Sequence, residues 1–407
     1  MAQPSRLPGT PAVDQVVCHV DMDCFYAACE RLREPALRGE PVVVGMGYEP
    51  GEDHGAVATA SYEAREFGVE SAQAISETLE RLPRKVEAAK RDDLSVEEAG
   101  FYRPVDMEFY ESVATEVKDI LHERADVVRE VSIDEAYLDV TDRADWEGVR
   151  AFARELKADV AQAVGVTASI GVAPTMSAAK VASDHDKPDG LVVVEPGEVA
   201  AFLAPLDVEA VHGVGRVTAE ELRGMGIETA GDLASADPST LAERFGERGR
   251  RIYRFARGED DRTVEPQGKP KSFSRESAFT DATGDLTRQR DRMRTLAAAV
   301  ARRADRRDVL YRTISIKVVT PPFDVRTRAR TLPGPVADAD LVERVALDLF
   351  GEFEGEQTRK LGVRVSNLSF TVETQSRLEE WTGTDDTGGS PGEPSERDWQ
   401  RSLTEFE

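Results

Sequence analysis

The chain has 407 residues and a formal net charge of −25, with 52 Lys and Arg against 77 Asp and Glu, so it is too long for one typical core and predicts two to four domains. Cysteines at 18, 24 and 29, without C-x-x-C spacing, and five scattered histidines exclude a disulfide framework or a zinc site. No run of eighteen apolar residues is present, and the opening MAQPSRLPGTPAVDQ has neither a basic nor an apolar leader region, so a cytoplasmic protein with no membrane partner is expected.

VVCHV (16–20) is an apolar run of strand length, and AACERL (27–32) opens a helix. Between them lie Asp21 and Asp23. A buried, ionised carboxylate is costly unless a partner, hydrogen bonds or a metal offsets it, and no Lys or Arg stands between Val16 and Glu30. The pattern predicts a partner from outside the chain.

PVVVG (41–45) and GAVATA (55–60) are short apolar runs joined by a Gly- and acid-rich loop, and 71–82 and 107–124 show helical spacing. Residues 127–140 read as two strands around a turn, 146–164 as a helix and 167–173 as a strand. Residues 174–183 follow as a helix with Pro at its start, and LVVV (191–194) closes this part. The order predicts an α+β sheet domain with helices on one face.

After Glu195, residues 211–234 read as two short helices joined by Gly213-Val214-Gly215, and 238–257 add more helix. A polar link (258–270) leads to strands at 311–320 and 361–370 with helical stretches at 286–307 and 340–350. The tail from 373, rich in Gly, Ser, Asp, Thr and Pro, is expected to be disordered.

Residues 269–372 carry twenty Lys and Arg against fourteen Asp and Glu, a local +6 that leaves −31 on the remainder. One basic segment thus sits in an acidic chain in which only ten basic residues are Lys. Such a balance suits molar salt, where the screening length falls to about 3 Å and self-repulsion fades.

A second acidic pair, Asp134-Glu135 in VSIDEAYLD, repeats the oddity of Asp21 and Asp23. Carboxylates brought together from separate strand ends supply hard oxygen ligands for Mg²⁺ and phosphoryl chemistry, although either pair alone is more often a solvated turn.

HVDMDCFYAACE (19–30), GAVATASYEAREFGV (55–69), VSIDEAYLD (131–139), SIGVAPTMSAAKVASDHDKPDG (169–190) and the G-V-G turn come in the order that resembles the Y-family (translesion) DNA polymerases of the DNA polymerase IV type, such as those of halophilic archaea. The resemblance implies an α+β multidomain right hand. It would have a ferredoxin-like palm (1–24 and 91–194), small fingers (25–90), a helix-hairpin-helix thumb (195–262), a linker (263–268) and an α/β little finger that binds DNA (269–372). It implies template-directed addition of dNTPs to a primer end with two Mg²⁺ ions. Asp21, Asp134, Glu135 and the Met22 carbonyl would hold the metals, Glu135 would also serve as the catalytic carboxylate, and Asp23 would support them. Phe25 would pack under the sugar and Tyr26 would be the steric gate against a ribose 2′-hydroxyl. Tyr62, Arg65 and Lys187 would touch the triphosphate, and Gly213, Val214 and Gly215 a DNA phosphate.

Near the end of the chain, Gln400, Leu403 and Phe406 in DWQRSLTEFE resemble the Q-x-x-L-x-x-F clamp-binding peptide, departing from it at Glu407. Primer–template DNA, dNTPs and a sliding clamp are therefore the expected partners of a monomer. The segment ESAQAISETLERLPRKV departs from the family, where a Gly-x-Arg-x-Gly-like turn is more common. Two rivals remain: a nucleotide cyclase with a similar palm, and a DNA-binding scaffold without activity.

Overall fold

The computed structural model describes residues 15–370, which divide into two units between Gly268 and Lys269. The first begins with β1 (Val17–Met22), α1 (Phe25–Arg33), β2 (Val42–Met46), β3 (Ala56–Ala60), α2 (Tyr62–Arg65), α3 (Ile75–Arg81), α4 (Lys85–Ala88) and β4 (Phe101–Pro104). It continues with α5 (Met107–Arg124), β5 (Val127–Glu130), β6 (Glu135–Asp139), α6 (Val149–Ala163), β7 (Ala168–Ala173), α7 (Met176–His185) and β8 (Leu191–Val193). A helical part follows: α8 (Val199–Leu203), α9 (Arg216–Gly224), α10 (Ala230–Ser235), α11 (Pro238–Phe245) and α12 (Glu247–Ala256).

The larger sheet runs β5-β6-β1-β7-β8 with β1 at its centre, antiparallel to β6 and β7. Every residue of β1 is buried, as a central strand covered on both faces requires. Cys18, Val20 and Met22 pack with Val113 and Val117 of α5 and Leu156 and Val160 of α6. Val17, Tyr137 and Ala173 pack instead with Met176, Ala179 and Ala182 of α7. Helices therefore cover both faces, which corrects the one-face expectation.

The helix α7 sits directly on β7 because Gly171 has no side chain. A Cβ there would meet the Ala179 carbonyl oxygen at 2.1 Å and the Ser183 nitrogen at 2.2 Å. Gly171→Ala is accordingly expected to destabilise the protein by about 3 kcal/mol, read as a lower midpoint in denaturant melts in KCl. An unchanged midpoint would show that α7 moves off the sheet at little cost.

At its N-terminal end α7 is held from afar: Asp260 Oδ2 accepts a hydrogen bond from the Ser177 amide at 3.0 Å, while Arg262 grips the same carboxylate at 2.8 Å. An anion at a helix N-terminus is favourable on dipole grounds.

A second, three-stranded sheet runs β3-β2-β4. The strand β4 was not foreseen. It pairs parallel to β2, so the small-sheet segment runs on to Pro104 rather than stopping at 90. The helix expected over 71–82 shrinks to Ile75–Arg81, because Ala72 adopts φ 68° and residues 72–73 exchange backbone hydrogen bonds with Val57. The G-V-G turn links a 3₁₀ turn (Val208–Ala210) to α9, whereas the two short helices, α9 and α10, are joined around Gly226 at φ 79°. The assignment of that turn is corrected by one element.

The second unit contains β9 (Ser272–Thr283), α13 (Leu286–Asp305), β10 (Val309–Thr320), β11 (Asp324–Val336), α14 (Ala339–Phe350) and β12 (Thr358–Phe370). Its antiparallel sheet runs β11-β10-β12-β9. Ile314, Ile316, Val318, Leu361, Val363 and Val365 face a core completed by Met293, Val300, Val342 and Phe350 of the two helices, which leaves the opposite sheet face open. Among the described residues no helix is long and apolar enough to cross a membrane. The tail with Gln400, Leu403 and Phe406 lies outside the described residues.

Candidate functional site

The register of β1 and β6 sets Asp21 directly opposite Glu135. Between the two carboxylates stands a cation that the sequence reading missed: Lys180 of α7 donates to Asp21 Oδ2 at 2.8 Å and also to Glu135. Lys187 reaches the other oxygen of Asp21 at 2.6 Å and Asp184 at 2.8 Å. In the described structure the buried carboxylates thus also have partners within the chain, on elements distant in sequence. A signal existed in Ala-Ala-Lys-Val-Ala, a lone cation in an apolar helix seven residues before Lys187.

Burial pushes the Asp21 carboxyl up, but Lys180 and Lys187 more than cancel it and hold the group well below the usual range. Burial dominates at Glu135, pushed up to about 7, with Asp21 adding to the rise and Lys180 opposing it. The two ammonium groups are raised in turn, because Asp21 and its acidic neighbours outweigh burial.

Asp134, adjacent in sequence, has its own hydrogen-bond partners. Its Oδ1 accepts from Ser132 Oγ at 2.5 Å, and its carbonyl accepts from the Met22 amide at 3.0 Å. Burial raises its pKa, and Asp21 adds to the rise. Among the described residues no three Asp, Glu, His or Cys side chains converge on one point. The donor set still fits a hard divalent cation by its chemistry: three carboxylates cluster at two strand ends, and lysine charge stands where they crowd.

Asp23 behaves differently. The strand β1 ends at Met22, so strand alternation does not align Asp23 with Asp21. Its carboxylate accepts from Tyr62 OH at 3.2 Å, Ser169 Oγ at 2.9 Å and the Asp189 amide at 2.9 Å. This ties α2 to the loop after α7. Arg65, exposed on α2, lays its guanidinium 4.8 Å from the Tyr62 ring centroid and donates to the Ala60 carbonyl.

Phe25 is buried. Tyr26 is half-buried, its hydroxyl pKa raised by burial and further by Asp134. It stacks on Tyr110, with centroids 4.7 Å apart and planes at 19°. Tyr110, also missed from sequence, is fully buried and donates to Glu30 at 2.7 Å.

Away from this cluster, Gly213 takes φ 87° and its carbonyl accepts two hydrogen bonds from Arg248, at 2.9 and 3.2 Å. Val214 is buried, and Gly215 is the N-cap of α9. The structure brings together Asp21, Glu135, Lys187 and, across Asp23, Tyr62; Gly213–Gly215 form their own element.

Three family models match the chain: the impB/mucB/samB family over residues 20–184, the DNA polymerase-iota thumb domain over 210–260 and the impB/mucB/samB family C-terminal domain over 270–379. DNA polymerase IV of Halobacterium salinarum is 62% identical over 388 residues, covering 95% of this chain and 93% of its own. DNA polymerase IV of Methanoculleus marisnigri is 40% identical, covering 90% and 98%. A solved Y-family DNA polymerase chimera of Dbh and Dpo4 superposes with a TM-score of 0.75 at 28% identity, covering 86% of this chain and 98% of that one. The insertion ternary complex of Dbh DNA polymerase gives 0.61 at 26%, with the same coverage. With the acidic strand ends, the thumb-like turn and these likenesses along nearly its whole length, the chain belongs to the Y-family DNA polymerases of the DNA polymerase IV type.

Proposed function

We propose that the chain extends a primer 3′ end against a template, taking dNTPs, with Asp21, Asp134, Glu135 and the Met22 carbonyl holding two Mg²⁺ ions. Members of this family depend on divalent metal; when bound, it supplies Lewis-acid stabilisation of the reacting phosphoryl oxygens. The facing of Asp21 and Glu135 across β1 and β6, with Lys180 between them and Lys187 on the other oxygen of Asp21, carries the reading.

Lys187, Arg65 and Tyr62 meet the triphosphate, since phosphoryl transfer is catalysed mostly by positioning and fixed positive charge. Asp23 fixes the hydroxyl of Tyr62. Phe25 packs beneath the sugar and Tyr26 excludes a 2′-hydroxyl. The backbone N–H groups at Gly213–Gly215 grip a DNA phosphate without reading sequence. Residues 269–372 act as the little finger that holds the duplex.

A cyclase would need neither this turn nor the second unit, and a scaffold without activity would have no use for the full acidic and basic set. Primer extension on a templated duplex with Mg²⁺ in molar KCl tests the reading directly, and no product with either Mg²⁺ or Mn²⁺ would overturn it. Arg65→Ala is expected to raise the KM for dNTP about tenfold or more while leaving primer–template affinity unchanged. Equal KM values would remove Arg65 from the triphosphate site.

The monomer is tethered to a sliding clamp through Gln400, Leu403 and Phe406. Such a tether raises the effective concentration at the clamp. Calorimetry against the clamp should show binding by the full chain and none by a chain ending at Arg397, with unclamped extension unimpaired. Equal affinity would discard the tether.

A further inference from the structure

On the open face of the second unit's sheet, three strands meet in one row: Glu276 of β9 is opposite Gly362 of β12, and Gly362 is opposite Lys317 of β10. Alternation sends Leu361, Val363 and Val365 into the core and leaves Lys360, Gly362 and Arg364 on the other side. Hydroxyl side chains share these rows, with Ser274, Ser315, Thr313 and Ser366 all paired on the same face. Glu276 is the acid in their midst.

The Glu276 side chain crosses β12 because Gly362 leaves room. A Cβ at Gly362 would meet Glu276 Cγ at 2.9 Å and Lys317 Cβ at 3.4 Å. Beyond the glycine, the Glu276 oxygens lie 3.1 and 3.3 Å from Lys317 Nζ, and one lies 2.5 Å from Lys360 Nζ. One carboxylate therefore occupies two of the chain's ten lysines. All three side chains retain some exposure, so the pairing is open to exchange with another anion.

The geometry points to Glu276 as a built-in competitor that holds Lys317 and Lys360 away from DNA phosphate and so weakens the grip on the duplex and flattens its salt dependence. The inference rests on the reading that this unit holds DNA. A free lysine that meets a phosphate releases a counter-ion and contributes about 0.9 to the log–log salt slope. A lysine already on a carboxylate must first break that contact, and the abandoned Glu276 then collects a cation from solution. The single cation taken up offsets about half of what the two lysines release. An enzyme so built keeps a moderate grip that salt changes less.

The test is fluorescence anisotropy of a labelled primer–template with the full chain over a KCl series, comparing wild type with Glu276→Gln, which keeps the side chain's shape. Glu276→Gln is expected to bind at least about fivefold tighter at the low end of the series, with a slope steeper by about one to two. Lys317→Gln and Lys360→Gln added to Glu276→Gln should abolish both gains. Unchanged or weaker binding by a Glu276→Gln protein that melts like wild type overturns the proposal if the lysine substitutions still weaken binding, because the face then meets DNA without being restrained. If the lysine substitutions also change nothing, the reading of this face as the DNA surface fails with it.

Discussion

Asp134→Ala is expected to cut the single-turnover rate of primer extension by a factor on the order of 10³ or more, with the melting temperature and primer–template affinity held at wild-type values. The asymmetry follows from its surroundings. Asp134 is engaged by Ser132 through its side chain, so truncation strands no buried charge, yet it removes a hard oxygen donor next to Glu135. Asp21→Ala should be equally inactive but also unstable. Lys180 and Lys187 would lose the carboxylate they share and keep only Glu135 and Asp184, and a lost charge-assisted hydrogen bond costs about 1.5–3 kcal/mol. Rapid-quench extension, anisotropy and thermal melts on the two variants separate chemistry from folding. An Asp134→Ala protein extending within tenfold of wild type would remove that residue from the metal site.

Tyr26→Ala is expected to raise the ratio of rNTP to dNTP incorporation by at least about tenfold, or ~1.4 kcal/mol of lost discrimination. Exclusion suits the task, since a site that merely contacts a deoxyribose cannot strongly reject one that adds a hydroxyl. The ring works as a barrier only if it stays put, and its stacking on Tyr110, itself anchored to Glu30, supplies that stiffness. Tyr110→Leu should therefore raise the same ratio by less than Tyr26→Ala does. Competition assays with mixed nucleotides on one template measure both, and an unchanged ratio in Tyr26→Ala would place the gate elsewhere.

Interior strands were the most legible from the sequence, and the edges of the second unit's sheet the least. β1, β7, β10 and β12 are interior strands whose apolar runs announce burial. β9 and β11 lie at the two edges of their sheet, and SFSRESAFTDAT and DVRTRARTLPGPV carry polar and charged residues that edge strands use to avoid further pairing. They read as loop. β4 escaped because four residues ending in Pro give no periodicity. At the site, the acids could be read because charge inside an apolar run is anomalous. Lys180 and Tyr110 were missed because lysine or tyrosine in a helix is ordinary, and only the packing of α7 and α5 brings them to the acids and the gate. The same locality hides the difference between Asp23 and Asp21: the strand stops at Met22 and Cys24 follows at φ 45°, which residue order does not display.

The hydrogen bond from the Ser177 amide to Asp260 makes one backbone proton a reporter. The helix α7 carries Lys180 into the acidic cluster, so the segment after α12 and that lysine are attached to the same rod. Hydrogen–deuterium exchange at Ser177 then counts how often the far end of that rod is let go. An amide that slows when primer–template is added would mean that DNA clasps the segment to the helix, and one that quickens would mean that DNA pries it away.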